Sequence, residues 1–271
     1  MSEAACSELS RAAAEPLAGT ATVARCWLLV EHAGRWERDV AETVLPEGVR
    51  AAVDAFDGRV QLIRRTDRRG EEAGAAFLAE AGDDGTRLVR LPSPTSHPTA
   101  DAEGRPVSGL LLLVCCHGRR DPCCARAGIP VYEALSRSVP AERLWQSSHL
   151  GGHRFAANLL ALPAGILLGR VTAGVAPQVA AELAAGRIPL EHYRGRTVHA
   201  PPVQAADAAV RRRLDARGID DVRLLGERDG VVRLDTPAGE LAVRVEVEAG
   251  PPLVESCGKD AVPSVRYSVR W

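Results

Sequence analysis

The sequence has no apolar run long enough to cross a lipid bilayer. Its longest apolar stretches, residues 109–116 and 158–162, fall far short of the ~20 residues that a membrane-spanning helix needs. Residues 1–19 include acidic side chains and lack the apolar centre of a secretory signal peptide. Neither sign of charge is in excess, because 34 Lys and Arg residues stand against 35 Asp and Glu residues. We therefore expect a cytoplasmic protein that binds neither nucleic acid nor a membrane surface.

Motifs that hold nucleotides are also missing. The chain contains no G-x-G-x-x-G loop for a dinucleotide and no G-x-x-x-x-G-K-[ST] loop for nucleotide phosphates. It lacks a C-x-x-C pair, the spacing of thioredoxin-type redox dithiols. Glycoside hydrolysis needs two carboxylates placed across a sugar, and the many acids here form no marked pair. These absences argue against a nicotinamide enzyme and against a glycosidase.

Cysteine is what the chain does contain, in an uneven distribution. It has seven cysteines, an odd number, and four of them lie within ten residues. These four are Cys115, Cys116, Cys123 and Cys124. Disulfides are rare in a reducing compartment, so this crowding favours metal binding or redox chemistry over a disulfide framework.

A pair of histidines follows further along the chain. His149 and His153 have three residues between them, two of which are glycines. The cysteine-rich loop comes after residues 109–114, an apolar run typical of a central strand, and the histidines come after a short predicted strand over residues 143–146. If both loops leave the same edge of one sheet, thiolates and imidazoles can meet there. Such donors bind zinc, copper or iron–sulfur clusters.

Alternating strand and helix signals divide the chain into segments. The first segment covers residues 21–91. Its predicted strands lie over residues 26–32, 60–65 and 87–91, and its predicted helices over residues 46–56 and 75–81. Residues 92–106 are rich in Pro, Ser, Thr and Asp and form the predicted linker to the second segment.

The second segment, residues 107–188, predicts strand, helix, strand, hairpin and helix, which is the order of a thioredoxin-like fold. Its hairpin is predicted where the apolar runs 158–162 and 166–171 flank a Pro-Ala-Gly turn. The third segment, residues 200–271, begins with a helix over 203–217 and continues with four half-exposed strands. The predicted fold class is therefore α/β, with a thioredoxin-like domain between an N-terminal α/β segment and a small C-terminal α+β appendage.

The cysteine and histidine motifs together resemble the sucrase/ferredoxin-like family, and through it the thioredoxin-like ferredoxins. The stretches that carry the resemblance are C-C-H-G-R-R-D-P-C-C-A from Cys115 and H-L-G-G-H-R-F-A-A-N from His149. The resemblance implies a thioredoxin-like ferredoxin domain and a one-electron carrier served by a redox partner protein. It implies that a [2Fe–2S] cluster is bound by Cys115, Cys124, His149 and His153. Residues that would support these ligands are Arg119, Asp121, Gly151 and Gly152.

Some choices stay open at this point. The family more often has a small residue other than cysteine at Cys116, so either Cys115 or Cys116 can be the first ligand. One alternative function is a zinc-stapled structural or binding protein with the same donors. Another is a thiol-dependent oxidoreductase that uses Cys123 or Cys124. For the cluster, two thiolates and two neutral imidazoles predict a reduction potential above that of plant-type ferredoxins, with proton uptake coupled to electron uptake.

Overall fold

A mixed sheet of ten strands runs through the computed structural model, which describes residues 4–66, 74–83, 85–96 and 102–271. Its strands in chain order are β1 (Cys26–Glu31), β2 (Arg59–Arg64), β3 (Ala76–Glu80), β4 (Arg87–Arg90), β5 (Arg105–Pro106), β6 (Leu111–Cys115), β7 (Leu144–Ser147), β8 (Leu159–Leu162), β9 (Ile166–Leu168) and β10 (Tyr193–Arg196). Across the sheet they lie in the order β10-β9-β8-β6-β7-β2-β1-β3-β4-β5.

Five α-helices belong to the same described part of the chain. They are α1 (Cys6–Ala12), α2 (Glu47–Asp54), α3 (Pro122–Leu135), α4 (Ala176–Ala184) and α5 (Pro201–Leu214). None of these helices is both long and apolar enough to cross a membrane. Helices combined with a mixed sheet confirm the α/β class that the sequence predicts.

The pair β2 and β7 joins the first predicted segment to the second. The two strands are antiparallel, with Ile63 opposite Ser147 and Arg64 opposite Gln146. Strands β1–β5 therefore continue the sheet that β6–β10 form. The domain boundaries drawn from the sequence stay a prediction, and strands from both sides of the first boundary share hydrogen bonds.

Strand β6 is the central strand that positions the cysteines. All five of its residues are buried, and it pairs parallel with β7 and antiparallel with β8. Helix α3 connects β6 to β7, which makes a β-α-β unit. The predicted hairpin is confirmed as β8 and β9, and the helix predicted after it is α4. A thioredoxin-like identity for this unit stays a prediction.

The helix predicted over residues 75–81 is wrong, because the structure has β3 there. This strand lies between β1 and β4 and runs antiparallel to both. Residues 76–79 are all buried, so the strand lies inside the sheet with both faces covered. Alanine favours a helix by only a fraction of a kcal/mol per residue, and pairing with two neighbouring strands overrides that preference. Three further elements, α1, β5 and β10, have no counterpart among the sequence predictions. Strand β5 lies at the end of the predicted linker, whose residues 97–101 are outside the described part of the chain.

The C-terminal strands form a second, antiparallel sheet, as the sequence predicts. Its strands pair in chain order and are β11 (Arg223–Arg228), β12 (Val231–Thr236), β13 (Gly239–Val254) and β14 (Ala261–Arg270). Val203 and Val210 of α5 pack with Val232 and Val243 of this sheet in one buried cluster. The turn between β13 and β14 carries Cys257 to the start of α3, where its backbone N–H donates to the Asp121 carboxylate over 2.9 Å.

Candidate metal centre

The two adjacent cysteines at the end of β6 face opposite sides of the sheet. Side chains alternate along a strand, so neighbours in sequence enter different cores. Cys115 packs in one buried cluster with Leu113, whereas Cys116 packs in another with Val114. Cys124 lies in the cluster of Cys115. The structure therefore brings Cys115, and not Cys116, to the face on which Cys124 lies.

The start of α3 places Cys124 beside Cys115. Asp121 caps the helix, and its Oδ1 accepts a hydrogen bond of 2.9 Å from the Cys123 backbone N–H. A Cβ atom on Gly128 would lie 2.0 Å from the backbone oxygen of Cys115. Glycine at this position thus allows α3 to approach the end of β6 more closely than any other residue would.

The loop after β7 brings His149 to both thiols. Its Nδ1 lies 3.6 Å from the Cys124 Sγ and 3.9 Å from the Cys115 Sγ. These three donor atoms all lie within 4.8 Å of one another, close enough to hold a metal ion. Both cysteines are buried, and His149 is partly exposed. The thiol side of the centre therefore faces the core, and the imidazole side faces the surface.

His153 lies next to this group, and one of its ring nitrogens has no hydrogen-bond partner. Its ring centroid is 5.0 Å from that of His149, and the two rings are tilted by 35°. The His153 Nδ1 is buried and has no hydrogen-bond partner, whereas its Nε2 lies 3.7 Å from the Asp121 Oδ2. Burial lowers the pKa of His153, although the nearby Asp121 charge opposes that shift. An imidazole with one uncommitted nitrogen and a carboxylate near the other matches the pattern of a metal-ligating histidine.

Hydrogen bonds to four successive carbonyl groups hold the loop that carries both histidines. The donors are Arg59 to His149 O at 3.0 Å, Thr22 to Leu150 O at 2.7 Å, Arg194 to Gly151 O at 2.9 Å and Asn158 to Gly152 O at 2.9 Å. Burial lowers the pKa of the Arg194 guanidinium to about 9. Because donors from four separate parts of the chain bond these carbonyls, the backbone that carries the histidines is fixed before any metal binds.

Both glycines of the loop have left-handed backbone conformations. The φ angle is +93° at Gly151 and +66° at Gly152, a region that favours glycine. A Cβ on Gly151 would lie 2.1 Å from the Thr22 hydroxyl, and a Cβ on Gly152 would lie 2.5 Å from the Arg194 guanidinium. The structure thus places these two predicted supporting residues where the loop turns against its hydrogen-bond donors.

The pKa values of the two thiols of the centre are shifted in opposite directions. A hydrogen bond with Cys124, supported by His149, holds the pKa of Cys115 well below its usual value, although burial opposes this. The same contact with Cys115, together with burial, raises the pKa of Cys124. The contact between the thiols thus favours the thiolate form of Cys115, and a thiolate is the form that binds metals.

Other residues singled out in the sequence lie around the centre. Arg119 pairs with the Glu37 carboxylate over 2.8 Å rather than with a donor of the centre. His117 donates from Nε2 to the backbone oxygen of Glu37 over 2.8 Å and is not among the grouped donor atoms, although its Nδ1 is buried without a partner. Cys123 points away from Cys124 and contacts Cys6, a residue that the sequence did not single out.

Two buried thiols that meet an imidazole define a candidate Cys/His metal centre, and this class of site agrees with the family comparison. The model of the sucrase/ferredoxin-like family matches residues 17–195, so the chain belongs to that family. No curated protein matches the chain, and no solved structure matches it.

Proposed function

We propose that the protein transfers single electrons through a [2Fe–2S] cluster held by Cys115, Cys124, His149 and His153. The observation that carries the proposal is the convergence of two buried thiols and one imidazole within 4.8 Å, with the ring of a second imidazole centred 5.0 Å from the first. Each iron of such a cluster needs two protein ligands, and the donors here come as one thiol pair and one imidazole pair. When bound, the cluster supplies a one-electron redox couple.

The charges of the four donors set the expected reduction potential. Two thiolates carry two negative charges, and two neutral imidazoles carry none. A site with four thiolates would hold two more negative charges close to the added electron. We therefore expect a potential above the roughly −400 mV of plant-type ferredoxins.

The histidine side is the expected route for electrons and protons. His149 is partly exposed, and the His153 side chain keeps 13% of its surface accessible, whereas Cys115 and Cys124 are buried. A redox partner protein can therefore approach the imidazole pair but not the thiols. His149 directs Nδ1 at the thiols, so its Nε2 is the atom that can hold or release a proton. We expect the potential to fall as pH rises through the alkaline range.

A structural zinc ion is the second candidate, and a specific distance favours it. Tetrahedral zinc with Zn–S near 2.3 Å and Zn–N near 2.0 Å would separate sulfur from nitrogen by about 3.6 Å. The distances from the His149 Nδ1 to the two sulfurs are 3.6 and 3.9 Å. A binuclear cluster places the imidazoles on the second iron and so needs a wider gap between thiolates and imidazoles. Two cysteines and two histidines suit either group, so the family match favours the cluster and the observed spacing favours zinc.

Metal analysis of the purified full chain separates the two candidates. We expect two irons and two acid-labile sulfides per chain, and a red-brown colour that bleaches when dithionite is added. The reduced protein should give the paramagnetic resonance signal of one unpaired electron. A colourless protein that keeps one zinc bound through Cys115 and Cys124 would refute the redox proposal and establish a structural zinc site.

A further inference from the structure

A second group of potential ligands lies at the start of α3, on the far side of Cys123. The Sγ atoms of Cys6 and Cys123 are 3.5 Å apart, those of Cys123 and Cys257 are 3.5 Å apart, and those of Cys257 and Cys6 are 3.6 Å apart. Both carboxylate oxygens of Asp121 lie 3.8 Å from the Cys6 Sγ. One donor atom from each of these four residues lies within 4.8 Å of the others.

The three thiols come from distant parts of the chain. Cys6 begins α1, Cys123 lies in the first turn of α3, and Cys257 lies in the turn between β13 and β14. None of them is in a disulfide, and their spacing is far longer than the ~2.0 Å of a sulfur–sulfur bond. Cys6 and Cys123 are buried, and Cys257 is partly exposed. The group thus has one side open to an entering ion.

We infer that Cys6, Cys123, Cys257 and Asp121 bind a single zinc ion. Three thiolates and one carboxylate oxygen supply the four donors of a tetrahedral zinc site. Binding Zn²⁺ displaces one proton from each thiol, so three protons pass to solvent and no electron moves. The ion would join the N-terminal helix, the central β-α-β unit and the C-terminal hairpin at one point.

The spacing of the sulfurs favours one ion over an iron–sulfur cluster. Two thiolates on a tetrahedral zinc lie about 3.8 Å apart, given a Zn–S bond of about 2.3 Å. All three sulfur pairs in this group are within a few tenths of an ångström of that value. A [2Fe–2S] cluster takes two protein ligands per iron, so three sulfurs in mutual contact cannot be divided between two irons. The carboxylate donor disfavours copper(I), which prefers sulfur ligands alone.

A buried carboxylate beside the three thiols is the second observation. Asp121 is 1% exposed, and its Oδ2 also lies 3.7 Å from the His153 Nε2. The carboxylate oxygens accept hydrogen bonds from the backbone N–H groups of Cys123 and Cys257 and from the Ser256 hydroxyl. These bonds hold the carboxylate against the three thiols, where one of its oxygens can complete a four-donor set. A divalent cation between the carboxylate and the thiols would bring a positive charge to this buried group.

Simple packing of small apolar thiols is the competing explanation. Cysteine often fills a core as a small hydrophobic residue, and Cys6 and Cys123 do lie in a buried cluster with Ala156. Asp121 is accounted for as the cap of α3, but packing alone does not require three sulfurs to meet beside that carboxylate. The two explanations differ in one measurable property, which is zinc content.

The test is zinc retention by the full chain and by three single variants. Zinc and iron are measured after gel filtration with EDTA present. Cys257→Ser is the main variant, because this residue is partly exposed and its replacement leaves the buried thiols in place. Cys124→Ser removes a donor of the first centre only, and Cys26→Ser changes a partly exposed cysteine that belongs to neither group.

We expect one zinc per chain in the parent protein, in Cys124→Ser and in Cys26→Ser, and a loss of roughly tenfold or more in Cys257→Ser. Zinc that stays in Cys257→Ser, or that is lost with Cys124→Ser instead, would overturn the inference. So would a parent protein that takes up no Zn²⁺ on direct addition, or a native disulfide among Cys6, Cys123 and Cys257. Zinc that depends on Cys257 in a colourless, iron-free protein would support this site while the redox proposal fails.

Discussion

Replacing His149 by cysteine changes the charge of the proposed cluster centre with little change in its shape. The His149 Nδ1 lies 3.6 Å from the Cys124 Sγ. A cysteine sulfur occupies the position of the imidazole Cγ, which is bonded directly to Nδ1, so it falls only one bond short of the present donor. We expect His149→Cys to keep a [2Fe–2S] cluster with three thiolate ligands.

The expected shift of potential follows from the added charge. Clusters with two histidine ligands lie at about −150 mV or higher and plant-type clusters near −400 mV, so two ligand changes span at least ~250 mV. One change should therefore lower the potential by about 100 mV or more. Burial of Cys115 and Cys124 limits the screening of the new charge by water. The pH dependence of the potential should also weaken, because one titratable imidazole is lost.

Redox titration followed by visible absorbance measures this shift at several pH values. His117→Asn is the matched control, because His117 bonds to the backbone of Glu37 and contacts neither thiol. The control should keep both the potential and its pH dependence. A potential of His149→Cys that equals or exceeds that of the parent protein would show that His149 is not a ligand.

Three further predictions address the donors and the fold around them. Cys124→Ser should lose bound iron, whereas Cys116→Ser, in the other core, should keep it; iron analysis of both purified variants checks this. Gly128→Ala should lower the free energy of unfolding by about 3 kcal/mol in urea titration, because its Cβ would lie 2.0 Å from a backbone oxygen. Asp83→Ala should lower the free energy of unfolding by about 2 kcal/mol at neutral pH, because the Asp83 Oδ1 accepts a hydrogen bond of 2.6 Å from the buried Arg196.

The two stability predictions can be contradicted by a control variant for Gly128→Ala and by the pH dependence of the effect of Asp83→Ala. Gly174→Ala has no atom within 4 Å of its new Cβ, so it should leave the stability nearly unchanged in the same titration. Burial would raise the pKa of Asp83, but His199 and Arg196 lower it, so the folded value lies below the unfolded one. The stabilisation that Asp83 contributes to the folded state is then present at neutral pH and disappears as pH falls through the folded pKa. If the loss of stability caused by Asp83→Ala instead became larger at acid pH, the proposed stabilising role of the charged carboxylate would be wrong.

The sequence predicted most elements of the fold because the burial patterns are local and regular. The apolar run of β6 and the half-exposed alternation of β12 are both visible without tertiary information. The error at β3 has a tertiary cause, since only pairing with β1 and β4 makes its alanines strand residues. The pairing of β2 with β7 could not be predicted from the sequence either, because no local pattern specifies a partner strand so distant in the chain.

The sequence pointed to the candidate donors of the first centre more directly than to the groups that hold them. Thiol and imidazole chemistry singled out the four clustered cysteines and the histidine pair, and the family resemblance chose Cys115 and Cys124 among the thiols. The structure brings Cys115, Cys124 and His149 within 4.8 Å of one another and places His153 beside them. Nothing local indicated that Arg194 would reach back to the Gly151 carbonyl, because it belongs to β10, which had no strand signal. Supports that come from distant elements depend on the sheet order, which a single sequence does not specify.

The four clustered cysteines show most clearly what a linear motif leaves undetermined. Successive strand residues alternate between faces, which separates Cys115 from Cys116. Successive helix residues turn by about 100°, so Cys124 faces the first centre while Cys123 faces Cys6 and Cys257. One short motif therefore supplies a donor pair, a core residue and a member of a second group. Cys6 and Cys257 lie 251 residues apart, and only the folded chain reveals that they meet at the remaining thiol.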